Sequence, residues 1–552
     1  MRELSRRNFF TGMAATGALA AASLAVGCSP AKNSSDSSTA TATEESNSLI
    51  PNNYYIHEDL KDLAFPDAGE IAFVADEIKD SDITEEVGCD FLVIGAGPAG
   101  LCAAASAADN GLNVVLLEKS SVISAHATCL GNYNSKVMQE ANFPVEEQTV
   151  LDCARVASQF RCDEDVWKMY FRRSGEAADW LLNTVMDESH KMVIPVTGDA
   201  TVGGFRWLDS WFMWPGGQSG FQDAFERVRD FCIEKGVDLR FNTAGAQLIT
   251  DGNGEIIGAY AKSKDGKFIK ITASRGTLLA TGSYEYNKEM MEKCVRPRDR
   301  MAFAWCNPCT GDTGDGHMMG LALGAAMDDY PHSVMMDNTG AKDGSFYSLA
   351  LFGTTRFNDS GKRFCNNYLP NNFMANAIQN QHGAHAFNIC DSQINEKAAV
   401  LMGGAPFDLQ VVIDKFVDNS VKCSTVKEVA DVIGCDEATI QASLDEWNAA
   451  CDAGVDEQYQ TAPNFLLKID TPPYYVMEES GALLATTGGL RVNEKSEVLD
   501  REGKPLKGLY AAGNVSGSMF YDTYPHQISA VSTGRCLTFG YLLGRRLAGL
   551  EG

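Results

Sequence analysis

The 552-residue sequence is short of basic side chains and of long apolar runs. It has 46 Lys and Arg against 73 Asp and Glu, a formal charge of −27 at pH 7, which argues against nucleic acid as a partner. After the first 30 residues, no stretch approaches the 18 apolar residues of a membrane-spanning helix. A CxxCH motif is absent, and the CxxC at Cys306 and Cys309 has no second pair at metal-binding spacing. The sequence therefore predicts neither a c-type haem nor a zinc site.

The rest of the composition is that of a folded protein. Hydrophobic residues make up 45% and charged residues 22%, both ordinary for globular chains. The length suggests two to four domains' worth of chain. The 51 glycines are many for this length, and they indicate tight turns and close backbone approaches.

The N-terminus carries the pattern of an export signal. Arg2, Arg6 and Arg7 precede an apolar run of small residues from Phe9 to Val26, which resembles a twin-arginine signal more than a permanent membrane helix. Ala25-Val26-Gly27-Cys28 resembles a lipoprotein processing site. We therefore predict a signal peptide over 1–28, a flexible linker and approach over 29–88, and an extracytoplasmic location in the cell envelope. Membrane contact is expected only through a lipid on Cys28.

A nucleotide-binding pattern follows the linker. Cys89 to Ile94 has the composition of a strand and enters Gly95-Ala96-Gly97-Pro98-Ala99-Gly100 directly. An Ala-rich segment, Leu101 to Asn110, indicates a helix, and Asn113 to Leu117 indicates a second strand closed by Glu118. Strand, glycine turn, helix, strand and acid within about 30 residues are typical of dinucleotide binding.

Each glycine of this turn has a physical role. Gly95 allows the turn, Gly97 lets a pyrophosphate approach the backbone, and Gly100 lets the helix pack on the strand. The helix N-terminus offers free N–H groups to phosphates. Glu118 can accept the ribose hydroxyls, and its charge would repel a 2′-phosphate.

Three later segments end in small residues in the same way. Gly276–Gly282 indicates a buried strand ending in Ala280-Thr281-Gly282, Gly311–Gly316 is a glycine loop containing Asp315, and Gly508–Asn514 indicates another strand. These ends can meet along one extended cofactor. A second GxGxxG is absent from the sequence, so no separate nicotinamide site is predicted and electrons would come from elsewhere.

From about Cys89 onward the chain resembles the fumarate reductase and 3-ketosteroid dehydrogenase superfamily of FAD enzymes. The matching segments are GAGPAG with Glu118-Lys119, LLATGSY (278–284), TGDGHMMGLALGA (313–325), GKRF (361–364), TTGGL (486–490) and GLYAAGN (508–514). The resemblance implies an α/β fold, a Rossmann-like FAD-binding domain (89–329 and 481–552) interrupted by a capping α+β domain (330–480). It implies non-covalent FAD held by Gly95, Gly97, Pro98, Ala99, Gly100, Glu118, Lys119, Ala246, Ala280, Thr281, Gly282, Asp315, Gly513, Asn514 and Ser529.

Departures from the family narrow the chemistry. Fumarate reductases hold a dicarboxylate with Arg and His side chains, but the matching positions here are Asn371, Leu484 or Ala485, and Tyr524. Because Arg is the side chain suited to bidentate carboxylate recognition, fumarate is not the expected substrate. The turn after Glu118 is also altered, to Ser124-Ala125-His126.

The replacement resembles the ketosteroid dehydrogenase branch. There a Thr-Tyr-Pro segment follows GLYAAGN, as Thr523-Tyr524-Pro525 does here, and the Tyr hydroxyl with a backbone N–H four residues on, at Ile528 here, binds a ketone oxygen. Tyr524 is thus the first candidate for the catalytic hydroxyl, the alternative being an aromatic wall. His526 and Tyr347 are further catalytic candidates. Tyr330 and Tyr368 are alternatives to Tyr347.

These features predict an exported FAD-dependent reductase that saturates a carbonyl-conjugated C=C bond in an apolar or aromatic substrate. Trp207, Trp211, Phe212 and Trp214 are either core or pocket wall. The expected electron donor is a separate membrane-attached cytochrome or quinol, since the segment before the FAD fold is too short for a donor domain. Two alternatives stay open: a ketosteroid-type dehydrogenase passing electrons to a quinone, and a non-catalytic flavin electron carrier.

Overall fold

The computed structural model describes residues 78–123, 125–202, 204–301, 304–305, 309–340, 349–402 and 408–551. The predicted signal peptide, most of the predicted linker, Cys306 and Tyr347 lie outside these described residues.

Strands and helices are interspersed along this region. The strands are β1 (Ile83–Ile94), β2 (Val114–Leu117), β3 (Leu130–Gly131), β4 (Ile194–Val202), β5 (Phe205–Met213), β6 (Asp238–Arg240), β7 (Thr243–Thr250), β8 (Ile256–Ser263), β9 (Phe268–Leu279), β10 (Ala304–Trp305), β11 (Val334–Thr339), β12 (Thr355–Phe357), β13 (His385–Cys390), β14 (Val421–Cys423), β15 (Tyr474–Thr486), β16 (Glu497–Leu499) and β17 (Pro505–Ala511). The helices are α1 (Pro98–Asp109), α2 (Lys136–Glu140), α3 (Glu147–Ala157), α4 (Glu164–Trp180), α5 (Gln218–Glu234), α6 (Lys288–Cys294), α7 (Asp315–Ala322), α8 (Asn371–Gln379), α9 (Ile394–Met402), α10 (Leu409–Asp418), α11 (Val426–Ile433), α12 (Glu437–Ala453) and α13 (Val531–Leu547).

A parallel sheet in the order β6-β2-β1-β9-β17 forms the centre of the molecule. Its strands read as apolar runs because both faces are covered: Phe91, Leu92 and Val93 are each 0% exposed. In register, Ile94 lies beside Leu117 and Leu279, and Leu279 lies beside Ala511. The carboxyl ends of four strands are therefore level, and the glycine-containing turns that follow them lie at one edge.

Helix α1 is held between this sheet and α13. Its alanines are fully buried, and two glycines of α13 bring the helices into backbone contact. A β-carbon on Gly540 would lie 2.6 Å from the Ala99 carbonyl oxygen, and one on Gly544 would lie 2.6 Å from the Ala107 nitrogen. Only glycine permits this approach, so α13 fixes the position of α1.

A second sheet is built on β15. Strands β10, β11, β13 and β14 all pair with β15, and β12 pairs with β13. A third, small antiparallel sheet has the order β3-β5-β4. Parallel strands with covering helices beside antiparallel sheets confirm the predicted α/β fold class. The predicted boundary between residues 480 and 481 falls inside β15, and β10 joins the second sheet from before residue 330; the domain limits stay predictions.

Among the described residues, no helix is long and apolar enough to cross a membrane. The same residues contain no group of three or more His, Cys, Asp or Glu side chains placed to hold a metal ion.

Candidate active site

The turn after β1 is shaped for a group that touches backbone. Gly95 has φ +108°, and a β-carbon there would lie 2.3 Å from the Ala280 carbonyl oxygen. A β-carbon on Gly100 would lie 1.9 Å from the Gly95 carbonyl oxygen. Gly97 precedes α1 in an extended conformation without a side-chain cap, and Pro98 occupies the first helical turn. The N-terminal N–H groups of α1 are thus presented to a phosphate at the level edge of the sheet.

Glu118 lies at the end of β2, as predicted, and is 7% exposed. Its Oε2 accepts a hydrogen bond from the Ala96 N–H (2.9 Å), and its Oε1 accepts from the Ser120 N–H (2.8 Å) and hydroxyl (2.6 Å). These bonds fix the carboxylate beside the glycine turn. The Thr243 N–H donates to the Glu118 carbonyl (2.9 Å), which starts β7 here and brings its residue Ala246 toward the same edge.

Four other predicted cofactor residues lie close together at the same edge of the sheet: Lys119, Thr281, Gly282 and Asp315. Lys119 Nζ donates to Asp315 Oδ2 (2.8 Å) and to the Thr313 hydroxyl (2.9 Å). The Gly316 N–H donates to the Thr281 hydroxyl (3.2 Å). Gly282 has φ +75°, and a β-carbon there would lie 2.3 Å from Asp312 Oδ1. The end of β9 and the loop before α7 therefore form one continuous wall.

The turn after β17 supplies the opposite wall. A β-carbon on Gly513 would lie 3.2 Å from the Ala99 side chain, and Asn514 Oδ1 accepts from the Arg535 guanidinium (3.0 Å). Arg535 is 1% exposed, and burial lowers the pKa of its guanidinium. The Ser529 N–H donates to the Leu208 carbonyl (3.2 Å), at the junction with β5.

These walls fit FAD. The cradle is bare backbone at Gly95 and Gly100, it ends at an uncapped helix N-terminus, and it carries a fixed carboxylate where a ribose is expected. The structure brings the glycine turns, Glu118, Lys119 and Asp315 to one edge of one sheet, and the contact of the predicted residues with FAD stays a prediction.

Tyr524 lies next to this cradle and is 4% exposed. Its hydroxyl accepts a hydrogen bond from the Ser532 N–H (3.0 Å) in the first turn of α13, and its own proton is left to donate. Burial raises the pKa of the Tyr524 phenol well above its usual value. The Ile528 N–H, which is expected to bind the ketone oxygen together with Tyr524, instead donates to the Pro525 carbonyl (2.9 Å). That part of the prediction is wrong, because the turn at Pro525 already uses this N–H.

His526 lies beside Tyr524, with ring centroids 4.9 Å apart in an edge-to-face contact. Its Nε2 lies 3.5 Å from Asp337 Oδ1, and the two side chains are 13% and 3% exposed. Burial lowers the pKa of His526, whereas the Asp337 charge raises it. A buried imidazole and a buried carboxylate therefore face each other next to the candidate hydroxyl.

The three positions where the family resemblance places carboxylate-binding basic residues converge on this region. Asn372, next to Asn371, donates from Nδ2 to the Thr523 hydroxyl (3.0 Å). Ala485 pairs with Met335 of β11, and the Tyr524 N–H donates to the carbonyl of Val334 at the start of the same strand (3.2 Å). The candidate site is thus lined at these positions by neutral side chains.

The tryptophan-rich segment contains three buried aromatic residues and one indole, Trp207, that stacks on other rings. Trp211, Phe212 and Trp214 are at most 8% exposed. Trp207 instead stacks on Tyr368 at 5.4 Å between ring centroids, and Tyr368 stacks on Phe465 at 4.4 Å. The indole N–H of Trp207 is buried without a hydrogen-bond partner among the described residues. Burial raises the pKa of Tyr368 to about 12.

The sequence interpretation missed Asp337, Ser532 and Arg535. Asp337 sits in β11 within a run that carries no motif, and its partner His526 is far along the chain. Ser532 and Arg535 contact Tyr524 and Asn514, and no local signal distinguishes them from other residues of a C-terminal helix.

Comparisons with known proteins agree with this geometry. Residues 90–529 match the model of an FAD binding domain family. The chain is 27% identical to a vinyl phenol reductase of Lactiplantibacillus plantarum over 83% of this chain and 94% of that protein. It is 23% identical to a digoxin reductase of Eggerthella lenta over 100% of this chain and 98% of that protein.

Solved structures show the same architecture. A flavocytochrome c3 fumarate reductase in its open conformation matches with a TM-score of 0.66 and 25% identity, covering 85% of this chain and 79% of that one. A 3-ketosteroid Δ1-dehydrogenase from Sterolibacterium denitrificans matches with a TM-score of 0.69 and 20% identity over 84% of this chain and 100% of that one, which shows the fold alone. The chain therefore belongs to the FAD-dependent oxidoreductase 2 family and is an FAD-dependent enzyme.

Proposed function

We propose that this enzyme saturates a C=C bond conjugated to a carbonyl group, in an apolar or aromatic substrate. The observation that carries the proposal is the Tyr524 hydroxyl, which is buried beside the FAD cradle and held by the Ser532 N–H at 3.0 Å. The neutral side chains at Asn371, Ala485 and Tyr524 disfavour a dicarboxylate. Relatives named as vinyl phenol, digoxin and urocanate reductases support a C=C reductase.

Tyr524 provides the electrostatic part of this chemistry. Bound FAD supplies the hydride for one carbon of the double bond. The Tyr524 hydroxyl donates a hydrogen bond to the substrate carbonyl and stabilises the negative charge that develops on its oxygen. Because burial raises the phenol pKa, the hydroxyl keeps its proton at neutral pH and stays a donor.

Trp207 and Tyr368 favour a flat substrate. Their stacked rings, 5.4 Å apart, lie on β5 and just before α8, on chain segments adjacent to those that carry Ser529 and Thr523. An aromatic or polycyclic substrate would extend the stack, while Tyr524 holds its carbonyl.

We further propose that electrons come from a separate membrane-attached cytochrome or quinol and that the enzyme acts outside the cytoplasm as a lipoprotein. The sequence supports this with the twin-arginine pattern, the candidate lipid attachment at Cys28 and the lack of a second GxGxxG. Fractionation of cells tests the location: the native protein is expected in the membrane fraction, and Cys28→Ala in the soluble envelope fraction. Recovery of the native protein in the cytoplasm would contradict the location.

Turnover by the purified holoenzyme tests the reaction. FAD-loaded enzyme is supplied with reduced viologen and with enones, cinnamates, steroids and dicarboxylates in turn, and oxidation of viologen is followed by absorbance. Rapid oxidation with an enone or a cinnamate is expected. Oxidation with dicarboxylates alone, or no oxidation together with reduction of a dye by a saturated ketosteroid, would refute the proposal and favour a fumarate reductase or a dehydrogenase.

A further inference from the structure

We propose that Asp337 and His526 form the proton-delivery pair of this site, with His526 donating the proton to the substrate and Asp337 acting as its positioning residue. The inference rests on the proposed reductase function and extends it, since a C=C bond that receives a hydride on one carbon needs a proton on the other. Tyr524 is occupied in binding the carbonyl, so a second group must supply this proton.

One polar atom of each side chain of the pair is buried without a hydrogen bond to any described residue. His526 Nε2 and Asp337 Oδ1 each have no hydrogen-bond partner within the described part of the chain, although they lie only 3.5 Å apart. Buried polar atoms are rarely left unpaired, and apo active sites often show long catalytic hydrogen bonds that shorten when substrate binds. Asp337 Oδ1 therefore faces His526 Nε2 and orients the imidazole, and the other ring nitrogen, Nδ1, is the one that can face a substrate.

Both residues are placed by β11. Asp337 belongs to this strand, where it pairs with Ala482 of β15, and the carbonyl of Val334 at the strand's start accepts from the Tyr524 N–H. The His526 N–H donates to the Tyr524 carbonyl (3.0 Å). One strand thus holds the carboxylate, the imidazole and the phenol at fixed mutual positions, with the imidazole and phenol rings edge-to-face at 4.9 Å between centroids.

Three groups set the charge of His526. Asp337 faces the imidazole from β11, Tyr524 faces it from its own segment, and the Met336 backbone acts on its pKa. Burial lowers the pKa of His526, and Asp337 and the Met336 backbone both raise it. Asp337 therefore increases the protonated fraction of a buried imidazole that burial alone would keep neutral.

The proposed step balances as follows. The hydride and its electron pair come from reduced FAD and form a C–H bond at one alkene carbon. The His526 Nδ1–H bond breaks while Nε2 stays against Asp337; the proton forms a C–H bond at the other carbon, and the imidazole is left neutral. Solvent returns the proton, and the external electron donor, reduced viologen in the assay, returns the two electrons.

The test compares Asp337→Asn, which removes the charge at constant shape, with Asp337→Glu, which keeps the charge. Glu478→Gln is the matched control, because Glu478 pairs with His385 on the same sheet but in a more exposed place. The side chain of Glu478 is 59% exposed and that of His385 is 27% exposed. We expect Asp337→Asn to lower kcat at least tenfold, as part of the roughly 10² to 10⁴ that a positioned acid contributes, with KM within about twofold. Asp337→Glu should recover part of the loss, and Glu478→Gln should match the wild type.

A second measurement does not depend on turnover. The imidazole resonances of isotope-labelled holoenzyme are titrated by NMR, and His526 is assigned by the signal that His526→Gln removes. Asp337→Asn should lower the pKa of His526. His526→Gln should reduce kcat as Asp337→Asn does, and the double variant should be no slower than either.

The results separate the two proposals. A wild-type enzyme that reduces no enone or cinnamate defeats the proposed function. A wild-type enzyme that does so, while Asp337→Asn and His526→Gln both retain kcat within threefold, defeats the proton-delivery pair alone. An unchanged His526 pKa in Asp337→Asn has the same meaning. If Asp337→Asn does not fold, His526→Gln and the Asp337→Glu titration decide.

Discussion

Replacing Tyr524 by Phe removes one buried hydroxyl and should separate catalysis from stability. The hydroxyl accepts the Ser532 N–H at 3.0 Å, so its loss leaves that N–H unsatisfied in a buried position. This should lower the free energy of unfolding by about 1–3 kcal/mol. If the hydroxyl also holds the substrate carbonyl in the transition state, kcat should fall by about 10² to 10⁴. That fall corresponds to about 2.7–5.4 kcal/mol of activation free energy.

The assay follows each half of the reaction. Reduction of the bound flavin by viologen should be unchanged in Tyr524→Phe, since that step does not use the hydroxyl, whereas reoxidation by the substrate should be slow in stopped-flow absorbance. Tyr541→Phe is the control, because Tyr541 is equally buried at 4% exposure and loses one hydrogen bond, to Glu176 at 2.8 Å. Reoxidation rates in Tyr524→Phe that match those of Tyr541→Phe would refute the assignment.

Three further predictions address the cradle, acid stability and substrate shape. Gly100→Ala places a β-carbon 1.9 Å from a carbonyl oxygen and should abolish FAD retention, read as flavin absorbance per protein, whereas Gly252→Ala, with open space around it, should retain it. Burial lowers the pKa of His332 to about 4, so its contribution to stability is complete above pH 6.5 and is lost as the pH falls toward 4. Between pH 7 and 5 the resulting loss in the free energy of unfolding is about 2 kcal/mol. In urea unfolding, His332→Asn should therefore lose less unfolding free energy over this pH range than the wild type. An equal loss in both would contradict the prediction. Trp207→Leu should raise KM about tenfold for aromatic substrates through its stack on Tyr368 and leave KM for a small aliphatic enone unchanged; an equal effect on both would show that Trp207 is not the wall.

The cofactor cradle was predictable from sequence because its determinants are local. Gly95, Gly100 and Glu118 belong to one strand-turn-helix-strand unit, in which each residue type is dictated by backbone approach or by the end of a strand. The ends of β9 and β17 were predictable for the same reason. Level carboxyl ends are a property of parallel strands in register, and they bring distant glycine turns to one edge.

The polar contacts of the catalytic region were not predictable in the same way. Asp337 and His526 come together because β11 runs beside the Thr523–His526 segment. This contact depends on the tertiary fold and not on the local sequence. The pairing of Tyr524 with the Ser532 N–H depends on the turn at Pro525, which consumes the Ile528 N–H. Neither the turn nor the strand path leaves a pattern in the residue spacing.

The glycine-mediated contact of α13 with α1 has a consequence for how the enzyme acquires its cofactor. The Ser106 hydroxyl in α1 donates to the Tyr541 carbonyl in α13 across 435 residues of sequence (2.8 Å). Contacts between residues this far apart in sequence slow folding, because the long loop between them must close first. During synthesis, the glycine turn and its helix leave the ribosome long before the helix that clamps them. Because α13 packs against the helix that follows the glycine turn, we expect the complete FAD cradle to form only after α13 has been synthesised.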